Sequence, residues 1–284
     1  MISLTTFDST KELLGDLLRD IRDGKTQLPD FQRGWVWDDD HVRSLLASVS
    51  LSYPIGTVMM LHTGSGNVRL KPRLVDGVTL QNPTDPERLI LDGQQRLTAL
   101  FQALFSGLPV YTLDARKKSI KRWYYIDIRK ALDPTVDRED AIFGVPEDRV
   151  VRNFRGEPER DLSSEEKEFS EQVFPLRLVF DVSAFTEWQM KYIQADPLTV
   201  SERLANWNNL VQEVVRRYQQ YQVPIILLRK DTPKEAVCQV FEKVNTGGVA
   251  LNVFELLTAT FAAPGWYFRE TPWRGMLRDE VRKR

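Results

Sequence analysis

The stretch Leu89-Ile90-Leu91-Asp92-Gly93-Gln94-Gln95-Arg96 decides how this chain folds. Its apolar start predicts a short strand, and apolar side chains then recur at helical spacing: Leu97, Leu100, Phe101, Leu104 and Phe105. A strand that turns sharply into a helix leaves the first helical N–H groups unpaired and pointing the same way. Because the positive end of the helix dipole lies at the same place, the pattern indicates a site for an anion such as phosphate.

The side chains of the turn add to this prediction. Gly93 has no Cβ and lets a ligand approach the backbone closely. Arg96 carries a guanidinium that can contact two phosphate oxygens at once. Gln94 and Gln95 supply neutral donors and acceptors, and Asp92 could hold a hydroxyl or a metal-bound water. The alternative is a tight turn in which Asp92 and Arg96 pair with each other, and these five residues do not choose between the two.

Composition limits the classes of function. The 284 residues suffice for one large domain or two ordinary ones, and 14 Phe, 8 Tyr and 7 Trp are ample for a core. The net charge of −1 excludes a generally basic nucleic-acid binder, so any such contact must use a local patch.

Few residues are available for disulfide or zinc chemistry. The single cysteine, Cys238, excludes an internal disulfide framework, and its apolar neighbours indicate a buried structural thiol. His41 and His62 are too few for a histidine-rich metal or zinc site. Because the sequence has no apolar run that could span a bilayer and no signal peptide, we expect a cytoplasmic protein that does not contact a membrane.

Apolar periodicity predicts further elements. Helices are expected at residues 13–24, 38–49 and 204–218, and a capping box at residues 232–235 begins another. Strands are expected at residues 57–61, 69–75, 123–128 and 223–228. Residues 130–170 are charged and poor in apolar side chains, which predicts a surface excursion with mobile loops.

Three polar clusters are flanked by core-forming segments. The first is Gln32-Arg33, the second is residues 92–96, and the third is residues 242–248, at a helix end. Each cluster alone is a weak signal. Together they supply two arginines, a lysine, several amides and two flexible backbone stretches, which suit a polyphosphate with a bound metal.

Four segments carry a resemblance to a known family: LPDFQRGWVW at residues 28–37, SYPIGTVMML at 52–61, LILDGQQRLTALFQAL at 89–104 and FEKVNTGGVALNVFELL at 241–257. In this order they resemble the DGQQR-motif family, which includes the N-terminal domains of GmrSD-type modification-dependent restriction enzymes and of the phosphorothioate-sensing SspE proteins. The matches run from about residue 28 to residue 263.

The resemblance implies an α+β fold with a mixed-sheet core like that of ParB and sulfiredoxin. It implies one domain over residues 1–263 with a large, mainly helical insertion at 130–220. Residues 264–284 are then a linker or the start of a further C-terminal region. The FQR at residues 31–33 corresponds to ParB's QPR box and the DGQQR to its GERR box. The pair Glu242 and Asn245 corresponds to a third motif, although no Gln-Arg follows Asn245 here.

The resemblance also implies that this domain binds and hydrolyses a nucleoside triphosphate with Mg²⁺, and regulates DNA cleavage or modification sensing in phage defence. The expected partners are DNA, modified or not, and an HNH-type nuclease domain or subunit. Two scattered histidines cannot build an HNH site, so this chain is not expected to cleave DNA alone. The sequence leaves homo-oligomerisation open.

The proposed roles follow from residue chemistry and the resemblance. Catalytic roles fall to Asp92, Gln94, Gln95, Arg96 and Arg33. Asp92 or Glu242 would hold Mg²⁺. The nucleotide would be bound by Gln32, Arg33, Gly93, Gln94, Gln95, Arg96, Lys243, Asn245, Gly247 and Gly248, with Phe31, Trp35 or Tyr53 able to stack on the base.

Three other functions are compatible with the sequence. The first is a module that binds nucleotide or modified DNA without hydrolysis. The second is direct DNA contact through the basic residues Lys117, Lys118, Lys121 and Arg122. The third is sulfiredoxin-like chemistry on sulfur, which ranks last because Cys238 lies on an apolar helical stripe rather than beside the phosphate loop.

Overall fold

The strand and helix predicted around the DGQQR segment are both present. In this computed structural model, which describes residues 7–30, 32, 37–64, 70–233, 236, 237 and 240, they are β5 (Arg88–Asp92) and α3 (Gln94–Leu104). The other strands are β1 (Phe7–Leu13), β2 (Thr26–Pro29), β3 (Val58–His62), β4 (Pro72–Arg73), β6 (Val110–Leu113), β7 (Ser119–Asp127), β8 (Ile142–Pro146), β9 (Val150–Arg152), β10 (Pro158–Asp161), β11 (Val173–Pro175) and β12 (Gln222–Leu228).

The other helices are α1 (Leu14–Arg22), α2 (Asp39–Ser50), α4 (Ile128–Leu132), α5 (Arg138–Ala141), α6 (Glu165–Glu171), α7 (Val182–Gln194), α8 (Val200–Leu210) and α9 (Arg216–Gln219). A 3-10 turn spans Leu176–Leu178, and a π-helical segment, Val211–Val215, joins α8 to α9. The predicted α+β class is confirmed.

A six-stranded mixed sheet forms the centre of the fold, in the order β1-β12-β3-β5-β2-β4. Strand β5 runs parallel to β2 and antiparallel to β3. The C-terminal ends of β2 and β5 and the N-terminal end of β3 therefore share one edge of the sheet. This edge carries the turn at Gly93.

Both faces of this sheet are buried at its centre, around β3 and β5. One face belongs to the main core, where β-strand residues such as Met60 and Ile90 pack with α1, α2 and α3. The other face is a smaller cluster of Leu61, Leu89, Leu91, Leu228 and Val237. The near-continuous apolar run of residues 89–91 reflects this two-sided burial.

A second sheet is organised around β7, which pairs with β6, β8 and β11. The side chains of β7 alternate between two cores. Tyr124 and Ile126 enter the main core, whereas Tyr125 joins a small core with Val145, Leu162 and Val173. The separate hairpin of β9 and β10 adds Val151 to the edge of this small core.

The expectation of mobile surface loops at residues 130–170 is wrong. This region contains α5, α6 and the strands β8, β9 and β10. Its charged residues have structural roles that composition does not reveal, because Asp137 caps α5 at the N–H of Glu139, and Glu168 is fully buried. The segment is therefore ordered by local capping and by a few buried contacts.

Three element boundaries also differ from the prediction. The strand expected at 69–75 is confined to Pro72–Arg73 among the residues that the structure describes, as suits a proline on an edge strand. The single helix expected at 204–218 contains the π-helical segment, which the apolar spacing does not distinguish from α-helix. Leu13 ends β1 and is exposed, so it does not belong to the buried face of α1.

Several predictions are confirmed. Helices α1 and α2 and strands β3, β7 and β12 lie at or within a few residues of the predicted positions. Of the capping box at 232–235, Lys234 and Glu235 lie outside the described residues, as does Cys238. Within the described ranges, no helix is long and apolar enough to cross a bilayer.

Candidate functional site

The turn between β5 and α3 requires a glycine. Gly93 has φ of +88°, and a Cβ at this position would lie 2.9 Å from Cγ2 of Val58. Its carbonyl accepts the first helical hydrogen bond, from the N–H of Leu97 at 3.0 Å. In the part of the chain that the structure describes, no side chain caps this helix start. The N-terminus of α3 thus lies at the sheet edge in the arrangement that the sequence predicts for an anion site.

The Arg96 side chain joins the start of α3 to the segment that precedes β3. Its Nη1 donates to the carbonyl of Ile55 at 2.6 Å, and its Nη2 donates to the carbonyl of Thr57 and to Oδ2 of Asp92, both at 3.1 Å. The side chain is 19% exposed. The Asp92–Arg96 pair considered as an alternative is therefore formed, and Arg96 also joins the DGQQR turn to the segment before β3.

That segment, residues 53–57, is hereafter called the bracket loop. It is held from a second side, because the Tyr221 hydroxyl donates to the carbonyl of Tyr53 at 2.7 Å and accepts from the N–H of Ile55 at 3.2 Å. Burial raises the pKa of Tyr221, so the hydroxyl keeps its proton. The bracket loop is thus pinned between β12 and the DGQQR turn.

Gln32 lies against the same strand as the turn. Its Nε2 donates to the carbonyls of Ile90 at 2.9 Å and Leu91 at 3.0 Å, and the residue is 8% exposed. The parallel pairing of β2 with β5 ends at Gln27 and Leu89, so these two carbonyls lie beyond it. The Gln32 amide takes the place of a backbone donor there. Gln32 of the first predicted cluster therefore lies against the strand that leads into the second.

The oxygen of the same amide is unusual. Among the described residues, Oε1 of Gln32 is buried and has no hydrogen-bond partner. A buried acceptor without a donor costs about 1–3 kcal/mol, so a group that donates to it would be favoured. Gln94 is also buried and Gln95 is half-buried, while the side chain of Asp92 is 36% exposed. Asp92 is thus the accessible carboxylate of the turn.

The remaining predicted site residues cannot be placed. Arg33, Phe31 and Trp35 lie outside the described residues, as do Glu242, Lys243, Asn245, Gly247 and Gly248. Convergence of the third cluster on the site therefore stays a prediction. Val237 and Val240, which precede it, do pack in the cluster that contains Leu89 and Leu91 of β5.

The donor set at the turn fits a divalent cation in part. Mg²⁺ needs one or two carboxylates and takes its other ligands from water and phosphate. Asp92 can supply one oxygen, since Oδ2 is shared with Arg96. Within the described part of the chain, no three His, Cys, Asp or Glu side chains cluster as metal ligands. Glu242, the second predicted ligand, lies outside it.

Sequence reasoning missed the bracket loop and its contacts. Gly56 has φ of +86°, and a Cβ there would lie 2.5 Å from Nη1 of Arg96. A break in the β3–β5 register between Met59 and Met60 lies opposite the end of β5, as often occurs near functional sites. The turn-forming residues Tyr53-Pro54-Ile55-Gly56 predict a loop, but they do not predict that this loop contacts Arg96.

A surface pocket of about 640 Å³ adjoins the bracket loop. Tyr53 forms part of its wall and is 57% exposed, so it is the one base-stacking candidate that the structure describes. The rest of the wall comes from α2 and the following Leu51, from residues 131–139 and from Glu213.

The basic patch suggested for DNA contact is partly neutralised. Lys121 Nζ contacts Glu147 Oε1 at 2.7 Å, and this contact raises the pKa of Lys121. Lys117 and Lys118 are exposed in the turn between β6 and β7. This arrangement suits the simpler interpretation, a solvated basic turn before a strand.

Comparison with known proteins gives matches that cover most of this chain. Residues 14–262 match the family described as the GmrSD restriction endonuclease N-terminal domain. The chain is also 30% identical over 261 residues to the uncharacterised protein MJ0686 of Methanocaldococcus jannaschii. That alignment covers 89% of this chain and 41% of the archaeal protein, so the chain spans about two-fifths of the length of this curated relative.

Proposed function

Because the chain belongs to the GmrSD restriction endonuclease N-terminal domain family, we propose that it regulates a DNA restriction or phage-defence system by binding and hydrolysing a nucleoside triphosphate. The system's nuclease would be an HNH-type domain or subunit, and its other partner would be DNA, modified or not. The observation that carries this proposal is the turn at Gly93, which opens the N-terminus of α3 at the sheet edge beside Gln32 and Arg96.

The backbone of the turn would bind the triphosphate tail. The N–H groups from Gly93 to Arg96 are the first donors of α3, and the helix dipole adds to their attraction for an anion. Hydrolysis of a phosphoanhydride is accelerated chiefly by positioning and by stabilising charge, rather than by covalent chemistry. A preorganised helix start at a glycine turn supplies such stabilisation.

Arg96 would do more than neutralise charge. Its guanidinium donates to Ile55, Thr57 and Asp92, and these bonds use three of its five N–H groups, so the other two would serve a phosphate while the loop stays held. We propose that Arg33 adds a second positive charge and that Gln94 or Gln95 orients the attacking water. Lys243, Asn245, Gly247 and Gly248 would close the far side, in a ParB/sulfiredoxin-like arrangement of one domain over residues 1–263.

Mg²⁺, when bound, would supply positive charge that offsets the negative charge of the phosphates. Asp92 is the described residue that can hold it, directly or through water, and Glu242 is the proposed second carboxylate.

A second function is favoured by one observation. Two of the three hydrogen bonds of Arg96 described above go to carbonyls of the bracket loop, Ile55 and Thr57, and the third goes to Asp92 of the DGQQR turn. An arginine engaged in this way is suited to a structural role, with the helix start alone binding the anion. The domain would then bind nucleotide or modified DNA without hydrolysing it.

Phosphate release from ATP and GTP, with and without Mg²⁺, tests the first proposal. Arg96→Ala is expected to abolish Mg²⁺-dependent release, since loss of one preorganised donor commonly costs about a hundredfold or more. It also removes hydrogen bonds to the bracket loop, so unfolding in urea should show a loss of about 1–3 kcal/mol.

Arg19→Ala is the matched control, because Arg19 pairs with Asp16 on the surface and its side chain is 54% exposed. It should leave both phosphate release and stability near wild type. Release by Arg96→Ala at the wild-type rate would reject the catalytic role of Arg96. Triphosphate binding by the wild-type chain with no release under any condition would instead support the binding module.

A further inference from the structure

The hairpin of β9 and β10 presents an aromatic ring to solvent. Phe154 lies in the turn between the two strands and is 92% exposed. Exposed apolar residues are common on protein surfaces, but a phenylalanine at the tip of a hairpin makes few contacts with its own chain. Phe154 is placed where it can enter another molecule.

The tip that carries Phe154 is well ordered by hydrogen bonds. The Oδ1 of Asn153 accepts from the N–H of Arg155 at 2.9 Å and from the N–H of Glu157 at 3.0 Å. The N–H of Asn153 donates to the carbonyl of Glu157 at 2.9 Å, and Gly156 takes the left-handed φ of +81° that closes the turn. The tip is therefore preformed, so little conformational entropy would be lost when a partner binds it.

The base of the hairpin is anchored to the body of the protein. The guanidinium of Arg149 lies 5.2 Å from the ring centre of Trp123, and that of Arg160 lies 4.5 Å from the ring centre of Phe143. The N–H of Leu162 donates to the carbonyl of Arg149 at 2.9 Å, and Leu162 is fully buried. The base of the hairpin is thus held against the small core.

The charges near the tip are distributed unevenly. Arg155 lies over the Phe154 ring at 5.2 Å, and so presents a cation beside the aromatic face. Three carboxylates of the hairpin have partners within it or at its base. Asp148 pairs with Arg152, Asp161 pairs with Lys167, and Glu157 accepts a hydrogen bond from the Asn153 amide. Glu159 is exposed on β10. These acids weaken general phosphate binding, so contact depends on the ring and its neighbouring arginine.

We propose that this tip is a DNA wedge: Phe154 inserts between base steps of a duplex while Arg155 contacts an adjacent phosphate. Apolar wedges combined with arginine are a recurring way to unstack and bend duplex DNA. The inference rests on the proposed function in one respect, namely that DNA is a partner of this chain. It does not require hydrolysis of a triphosphate.

Fluorescence anisotropy of the full chain on a labelled duplex tests the wedge. Phe154→Ala is expected to weaken binding about tenfold, in the range found for loss of one aromatic–base stack, whereas Phe154→Trp should retain it. Arg155→Ala should lower the slope of log affinity against log salt by about one, as for loss of one phosphate contact. The matched control is Leu198→Ala, because Leu198 is 95% exposed elsewhere and should not affect binding.

A duplex with 2-aminopurine reports unstacking directly. Its fluorescence should rise on binding of the wild-type chain and of Phe154→Trp, but not of Phe154→Ala. Wild-type affinity and wild-type 2-aminopurine response in Phe154→Ala would overturn the proposal, as would a wild-type chain that binds no duplex. So would a Phe154→Ala defect confined to self-association or to capture of the nuclease subunit, because the ring would then be a protein contact.

The failure of this inference is distinguishable from failure of the proposed triphosphatase. Phe154→Ala is expected to release phosphate at the wild-type rate, since the ring lies at the tip of a hairpin outside the central sheet. Wild-type DNA binding and 2-aminopurine response in Phe154→Ala, together with Mg²⁺-dependent phosphate release by the wild-type chain, would reject the wedge and keep the triphosphatase. DNA-dependent 2-aminopurine signal without phosphate release rejects the triphosphatase and keeps the wedge.

Discussion

Glu168 lies in the charged region that composition predicts to be surface loops, yet its side chain is in the interior of the protein. The residue is fully buried, and its carboxylate accepts from the Tyr125 hydroxyl and the Trp188 indole N–H, each at 2.9 Å. Arg149 and Arg177 approach one of its oxygens at 3.9 Å and 3.8 Å. Burial nevertheless dominates and raises the pKa of Glu168 above its usual range.

This shift predicts a pH dependence of stability. Because its pKa is higher in the folded than in the unfolded protein, the folded state holds the proton more tightly. The contribution of Glu168 is therefore most favourable at acid pH, and it declines as pH rises from about 4.3 through the raised folded pKa. Glu168→Gln, which does not titrate, should gain stability relative to wild type as pH rises over this window.

Urea unfolding of wild type and Glu168→Gln at several pH values measures the difference. The control is Glu187→Gln, at an exposed residue paired with Lys191, which should show no such trend. A difference between wild type and Glu168→Gln that is constant with pH would show that the buried carboxyl does not titrate in this window.

At the scale of elements, the bracket loop is held to the DGQQR turn by space as well as by hydrogen bonds. Gly56 faces the guanidinium of Arg96, and Gly93 lies on its other side, with its would-be Cβ 3.5 Å from Nη2. Neither position has room for a side chain. The loop and the turn therefore fit together only if both glycines are kept.

Gly56→Ala tests this fit. Its Cβ would lie 2.5 Å from Nη1 of Arg96, so we expect displacement of Arg96 and loss of its bond to Ile55. The change should reduce triphosphate affinity and lower the free energy of unfolding by about 1–3 kcal/mol beyond the strain of a left-handed alanine. Isothermal titration and urea unfolding give the two quantities.

Gly107→Ala separates strain from crowding. Gly107 also has a positive φ, of +68°, but a Cβ there meets no atom within 4 Å. Its cost is the left-handed conformation alone, about 1–2 kcal/mol. Equal losses in the two variants would mean that contact of Gly56 with Arg96 contributes nothing.

At the scale of the whole molecule, β7 connects the two sheets into one unfolding unit. Successive side chains of β7 enter different cores, with Tyr124 and Ile126 in the main core and Tyr125 in the small one. A strand buried on both faces cannot lose one core without exposing part of the other. We therefore expect the two cores to unfold together.

Leu162→Ala should show this coupling. Leu162 is fully buried in the small core, and truncation of such a leucine costs about 2–5 kcal/mol. Tryptophan fluorescence and far-ultraviolet circular dichroism should report one shared transition at a lower urea concentration. Leu108→Ala, at a residue that is 52% exposed, should leave the midpoint unchanged. Two separate transitions in Leu162→Ala would show that the cores unfold independently.

The sequence by itself determined the elements whose signals are local. The strand and helix around Gly93, the first two helices and the last strand follow from apolar spacing and glycine within single segments, and the structure confirms them. Such features need no knowledge of distant partners, because burial of one face and the freedom of glycine act within a few residues.

Only the tertiary structure decided what Arg96 binds and what the charged region does. Arg96 contacts Ile55, 41 residues away, and Gln32 contacts Ile90, 58 residues away. Likewise, residues 130–170 are ordered by contacts such as Glu168 with Tyr125, 43 residues apart. Charge and spacing along a chain do not specify such partners, because the energy of a buried polar group depends on which donors the folded chain brings to it.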